Sequence, residues 1–266
     1  MMSDIQDEIS ATTALATAQT CKDAAEWMKE PDEPDNPLVG GVIANGEMFA
    51  IVGQSKVGKS FFVLQMAISI AAGRLFLGRA TTKQRVYIAN LEVSARQYKQ
   101  RLRKILEGLQ IAPETLSGQL FIDNLKGGSA EWEMVRQRAK QYAAEVVFID
   151  PFYQIFDGSE TDDLACKAAV EEMKKFLRDS ISLGIVFHAP KGFSGDRQLI
   201  DSISGSSILA RFPESVIGLL NHAIGGNARV VDAVLRNYPQ PEMQTVRFDS
   251  GIFVVDADTP PVVASS

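Results

Sequence analysis

Cysteine and histidine are scarce in this 266-residue chain, with two of each. Cys21 and Cys166 are too few for a disulfide framework, and with only two histidines they cannot repeat the ligand spacing of a zinc module. A reducing, cytoplasmic compartment is therefore the simpler expectation. No apolar run approaches the roughly 18–20 residues that a membrane span needs, so no membrane partner is expected. The first residues, M-M-S-D-I-Q-D-E, are acidic where a secretory leader would be basic. Internal repeats and low-complexity tracts are absent too. What is present, 45% hydrophobic and 23% charged residues, is an ordinary globular composition. The length suits one large α/β domain.

The formal net charge of −6 is unevenly placed. Residues 1–39 carry nine acids and two bases, whereas residues 40–266 carry 24 acids and 25 bases. The acidity belongs to an N-terminal arm, and a nearly neutral body does not argue against a nucleic-acid partner. Residues 1–36 form that arm, which ends in the proline-rich run Pro31 to Pro37. A short helix is expected over 21–29, around Ala24, Ala25, Trp27 and Met28. The arm reads equally as a flexible leader or as a docking segment. Residues 37–258 are expected to form the domain and 259–266 a flexible tail.

Within the domain, apolar runs alternate with helical patterns. Strands are expected at Met48–Val52, Val86–Leu91, Leu120–Ile122, Val146–Ile149 and Ile185–Phe187, all without internal charge, as in a parallel sheet covered on both faces. Residues 94–109 place Tyr98, Leu102, Ile105, Leu106 and Leu109 on one helical stripe, and residues 164–178 do the same with Cys166, Val170, Met173, Phe176 and Leu177. The runs Ser215–Leu220, Arg229–Arg236, Gln244–Phe248 and Ile252–Val255 follow without helices between them. The expected fold is α/β, with a mostly parallel central sheet flanked by helices and a C-terminal antiparallel extension beginning near 215.

The most specific string is G-Q-S-K-V-G-K-S: Gly53, Gln54, Ser55, Lys56, Val57, Gly58, Lys59 and Ser60, followed by Phe61. It fits G-x-x-x-x-G-K-[ST] between an apolar strand and a helical run. Such a loop turns its backbone N–H groups onto a phosphate at a helix N-terminus. Lys59 would reach the β- and γ-phosphates of ATP, and the Ser60 hydroxyl would ligate Mg2+. Asp150, ending V-V-F-I-D, is the expected second holder of Mg2+. Glu92, ending V-Y-I-A-N-L-E, would orient a water for attack on the γ-phosphate. His188, ending G-I-V-F-H, is placed as a γ-phosphate sensor on the same sheet edge.

These strings together resemble those of RepA-type hexameric plasmid helicases and related AAA-type, RecA-fold ATPases. The matching segments are G-Q-S-K-V-G-K-S, V-Y-I-A-N-L-E, V-V-F-I-D-P-F, I-V-F-H-A-P-K and D-S-I-S-G-S-S-I-L-A, spread over residues 35–255. The resemblance implies a homo-oligomer, a six-membered ring with ATP between subunits and a cationic finger supplied by the neighbour. The family's Lys-x-Arg pair falls on Arg236 and Tyr238, so Arg236 is the finger candidate. A histidine pair common in the family is Phe187–His188 here. The resemblance also implies translocation on single-stranded DNA by a plasmid- or phage-type replicative helicase. The alternative is a RecA-fold regulator, loader or recombination mediator, of KaiC type for example, without unwinding. A small-molecule kinase is disfavoured because no arginine-rich lid segment is present.

Two stretches bear on the DNA question. Phe156 to Asp163 is acidic and suits a helix cap at Asp162 or Asp163 better than a phosphate contact. The Gly/Ser-rich stretch after His188 carries Lys191, Phe193 and Arg197, the candidate single-strand contacts. The five bases between Arg96 and Lys104 read as a solvated helix face, with a subunit contact as the sharper alternative.

Overall fold

The computed structural model describes residues 22–31, 36–189, 199, 203 and 207–264. The chain divides at Asp35/Asn36 into two units. In the first, helix α1 (Ala24–Trp27) is capped by Asp23, whose carboxylate accepts from the Ala25 and Glu26 N–H groups. That satisfies donors which a four-residue helix cannot satisfy itself.

The second unit opens with a small hairpin, β1 (Pro37–Val39) and β2 (Ile43–Ala44). The helices that follow are α2 (Lys59–Ala72), α3 (Ala95–Leu109), α4 (Trp132–Gln141), α5 (Asp163–Arg178) and α6 (Ser207–Arg211). Between and after them run β3 (Met48–Gly53), β4 (Val86–Asn90), β5 (Leu120–Asn124), β6 (Val146–Asp150), β7 (Ser182–His188), β8 (Ser215–Asn221), β9 (Ala228–Leu235), β10 (Gln244–Asp249) and β11 (Ile252–Val255). These nine strands form one sheet in the order β11-β10-β9-β8-β3-β7-β6-β4-β5.

Alternate residues of the central strands feed two cores. Phe49, Ile51, Ile88, Phe148 and Val186 pack with α2 and α3 on one face. Met48, Ala50, Val52, Ile149, Ile185 and Phe187 pack with α4 and α5 on the other. The period-2 alternation thus gives a helix–sheet–helix sandwich in which the apolar central strands are covered on both sides. Helix α2 lies deepest. Its buried amide, Gln65, donates to the Phe253 carbonyl at 2.9 Å and accepts from the Phe253 N–H at 2.7 Å.

The antiparallel extension begins near 215 as expected: β8 pairs antiparallel with β9, Ser215 opposite Leu235, while its other edge pairs in parallel with β3, Phe49 opposite Ser215. The tail does not trail away from 259. The Ala223 N–H donates to the Val262 carbonyl at 2.8 Å and the Ala264 N–H to the Asn221 carbonyl at 2.9 Å, which lays residues 262–264 along the end of β8.

Candidate functional site

Parallel register delivers the motif residues to one sheet edge. Gly53 lies opposite His188 at the ends of β3 and β7, and Asn90 opposite Asp150 at the ends of β4 and β6. Beyond Asn90 the chain turns sharply. The Asn90 side chain accepts from the Val93 N–H at 3.1 Å and donates to the Val93 carbonyl at 2.6 Å. This short loop buries Leu91 and leaves Glu92 exposed. The Leu91 N–H also donates to the Asp150 carbonyl at 2.9 Å, tying the Glu92 loop to the end of β6.

The phosphate loop bridges β3 and α2. Gly58 caps α2 at φ +110°, a left-handed conformation that costs a side-chain-bearing residue dearly. Its place is also filled, since a Cβ there would lie 2.9 Å from the Phe253 ring. No side chain caps α2, so its first N–H groups face the cleft without a side-chain acceptor. The cleft of about 600 Å³ is lined by the loop together with Glu92, Asp150 and His188.

Lys59 is buried, and its ammonium donates to the carbonyls of Gly53 at 2.7 Å and Gln54 at 2.9 Å, with His188 Nδ1 at 3.2 Å. Burial lowers its pKa to about 8 against the opposing pull of Asp150 and Glu92. Asp150 is 3% exposed, and burial raises its pKa to about 6, opposed chiefly by the Ser60 hydroxyl. Burial, then the Lys59 charge, lowers the pKa of His188, which suits a neutral ring accepting from Lys59. The site holds buried charges of both signs, costly in an empty cleft and useful around a polyphosphate with its cation.

The donor set fits Mg2+. It consists of oxygens alone, the Ser60 hydroxyl and the Asp150 carboxylate, on the cleft wall beside an uncapped helix N-terminus. Among the described residues no group of three or more His, Cys, Asp or Glu is arranged to hold a metal.

The fold assembles further residues that the motifs did not indicate. Arg101 turns from the basic face of α3 into the cleft, its guanidinium carbon 4.8 Å from the Phe61 ring centroid. Its neighbours Arg96, Lys99, Arg103 and Lys104 stay exposed, as a solvated face would. Phe248 packs edge-on against Phe61 at 4.9 Å and also lines the cleft. Tyr153 sits 5.4 Å from the His188 ring, with its hydroxyl in reach of Glu92. Lys126 and Arg229 complete the wall. The helical phase of residue 101 relative to Gln97 is the one signal that could have singled out Arg101.

Arg236 is not brought to this cleft. It follows β9, whose Leu235 pairs with Ser215 at the opposite sheet edge, and its Nη2 donates to the Arg211 carbonyl at 2.8 Å. Asp162 is the cap of α5, its carboxylate accepting from the Leu164 N–H at 2.9 Å. Lys191, Phe193 and Arg197 lie outside the described residues.

A mostly parallel sheet with the phosphate loop after one central strand and acids after two others defines a RecA-like P-loop NTPase domain. The chain belongs to the AAA domain family, whose family model matches residues 15–192. Among solved structures it is similar to a KaiC-like protein of the hyperthermophilic archaeon Pyrococcus horikoshii OT3. The TM-score is 0.59 at 15% identity, over 85% of this chain and 99% of that one. At such identity the likeness is one of fold. No curated protein matches the sequence. Among the described residues no helix is long and apolar enough to cross a membrane.

Proposed function

We propose that this chain hydrolyses ATP as a ring of identical subunits and uses the energy to move along single-stranded DNA, as a plasmid- or phage-type helicase does. The observation that carries the ATPase reading is the convergence of Lys59, Ser60, Glu92, Asp150 and His188 on the wall of one cleft beside an uncapped helix. Lys59 would exchange the carbonyls of Gly53 and Gln54 for the β- and γ-phosphates. Ser60 and Asp150 would hold Mg2+, which would neutralise phosphate charge. Glu92, exposed on its turn, would orient the attacking water. His188, which already touches Lys59, would register whether a γ-phosphate is present. Phe61, Arg101 and Phe248, the two rings edge-on and the guanidinium over Phe61, would offer apolar and cationic contacts to a purine base.

The helicase half rests on the string resemblance. The alternative, a regulator or loader without unwinding, is favoured by the acidic stretch Phe156 to Asp163, which begins six residues beyond Asp150. One assay separates the readings: ATP hydrolysis with and without single-stranded DNA, followed by displacement of a labelled strand. A helicase gives stimulated hydrolysis and displacement. A regulator gives slow hydrolysis indifferent to DNA. Lys59→Ala is expected to abolish hydrolysis, and Glu92→Gln to bind ATP without turning it over. Normal turnover by Glu92→Gln would remove the water-orienting role.

A further inference from the structure

Arg229 stands in β9 opposite Asn221 of β8, at the sheet edge that carries the phosphate loop. Its Nε donates to the Val57 carbonyl inside the loop at 3.1 Å. Its Nη1 donates to the carbonyls of Gly226 at 2.9 Å and Ala228 at 2.7 Å. All three acceptors are neutral, and among the described residues no carboxylate pairs with it. Burial alone moves its pKa, downwards, as expected of a cation drawn out of water without a counter-charge. An anion in the cleft would supply the counter-charge that these neutral carbonyls do not.

The surroundings say which anion. Arg229 lines the cleft with Lys56, Val57, Phe61 and Phe248. The C-terminal strands are fitted hard against the loop at this point. A Cβ on Gly53 would lie 2.5 Å from the Leu219 carbonyl oxygen, and Asn221 Nδ2 donates to Gln54 Oε1 at 2.8 Å. Arg229 is thus anchored to the loop through Val57, on a cleft wall it shares with the aromatic pair. Lys59 serves the β- and γ-phosphate end of the cleft and the aromatic pair the base end, which leaves the α-phosphate region to Arg229.

We propose that Arg229 is a nucleotide-binding residue whose guanidinium pairs with the ribose-proximal phosphate of ATP or ADP while its Nε holds the phosphate loop through Val57. This rests on reading the cleft as an ATP site. Arginine suits the task because it holds the three carbonyls through Nε and Nη1 and still presents Nη2 to a phosphate, which a lysine cannot do together.

The test is equilibrium binding of a fluorescent ADP and of non-hydrolysable ATP with Mg2+ to the full chain, as wild type, Arg229→Gln and Arg229→Lys. Affinity is expected to fall by about tenfold or more in Arg229→Gln, in line with loss of one charge-assisted contact. The fall should be smaller in Arg229→Lys, and by the same factor for ADP and ATP because the α-phosphate is common to both. The unfolding midpoint without nucleotide should fall in both variants, since each gives up the bonds to Val57, Gly226 and Ala228, and binding is read well below it. Unchanged affinity in Arg229→Gln overturns the assignment, as does a loss confined to ATP, which would put Arg229 at the γ-phosphate. An affinity loss that Arg229→Lys shares in full also overturns it, since a retained charge that restores nothing leaves a structural latch. If wild type binds neither nucleotide better than Lys59→Ala does, the ATP-site reading itself fails.

Discussion

Asp150 is buried at the end of β6 with a pKa raised to about 6, and the free protein carries the cost of ionising it. An acid whose folded pKa lies above its unfolded one favours folding at low pH. That contribution is full below the ordinary Asp range and is lost as pH rises through about 6. At neutral pH, Asp150→Asn should therefore stabilise the nucleotide-free protein, by roughly 1–3 kcal/mol. The gain should shrink at pH 4–5, and Mg2+-dependent hydrolysis should be lost. Denaturant titrations at the two pH values check this, and a destabilised Asn variant at neutral pH would show that the ionised carboxylate is already compensated. The same residue scale shows what can be read from sequence. Gly53 to Ser60 and Asp150 declare themselves because a phosphate cradle needs a contiguous string and a strand-end acid. Arg101, Arg229, Phe248 and Tyr153 do not, because they come from α3, β9, β10 and the turn after β6 and meet only in the folded chain.

Among the elements, α2 depends on a polar contact that its apolar sequence hides. Gln65 is a lone amide in a helix buried on nearly every side, and it completes both backbone groups of Phe253 in β11. Gln65→Leu keeps the volume and strands a buried N–H and C=O. A loss of about 2–4 kcal/mol is expected from two unmade hydrogen bonds, read as a lower denaturation midpoint. Because Phe253 packs on Gly58, nucleotide affinity should fall with it. Element boundaries were legible where chemistry changes abruptly: β11 falls on Ile252–Val255 and α5 on Asp163–Arg178, each at or within one residue of expectation. The direction of β8 was not. Its parallel pairing with β3 needs a crossover, and the stretch after His188 is too rich in Gly and Ser to announce one. Helix α4 was also silent, since only Val135 and Ala139 are buried, too few for a stripe.

Across the whole molecule, β9 joins two places that matter for different reasons. Arg229 touches the phosphate loop at one sheet edge, whereas Arg236 stands beyond the strand's far end at the opposite edge. Seven residues of strand separate them by about 23 Å, so Arg236 cannot reach the phosphates of its own chain. If it acts on ATP it acts on that of another copy, which makes the finger assignment testable without knowing the ring's geometry. Arg236→Ala and Lys59→Ala should each be inactive alone. Mixed in equal amounts and allowed to exchange, about a quarter of head-to-tail interfaces would pair an intact Lys59 with an intact Arg236. Hydrolysis should return to roughly that fraction of wild type. Full activity of Arg236→Ala by itself would rule out a finger at this position. An inactive Arg236→Ala that no mixture rescues would instead mean that its bond to the Arg211 carbonyl supports the fold within one chain, and a lowered unfolding midpoint would identify that outcome. Recovery on mixing would require each nucleotide to be completed by two copies of the chain, the property that a ring ATPase needs and a monomeric one lacks.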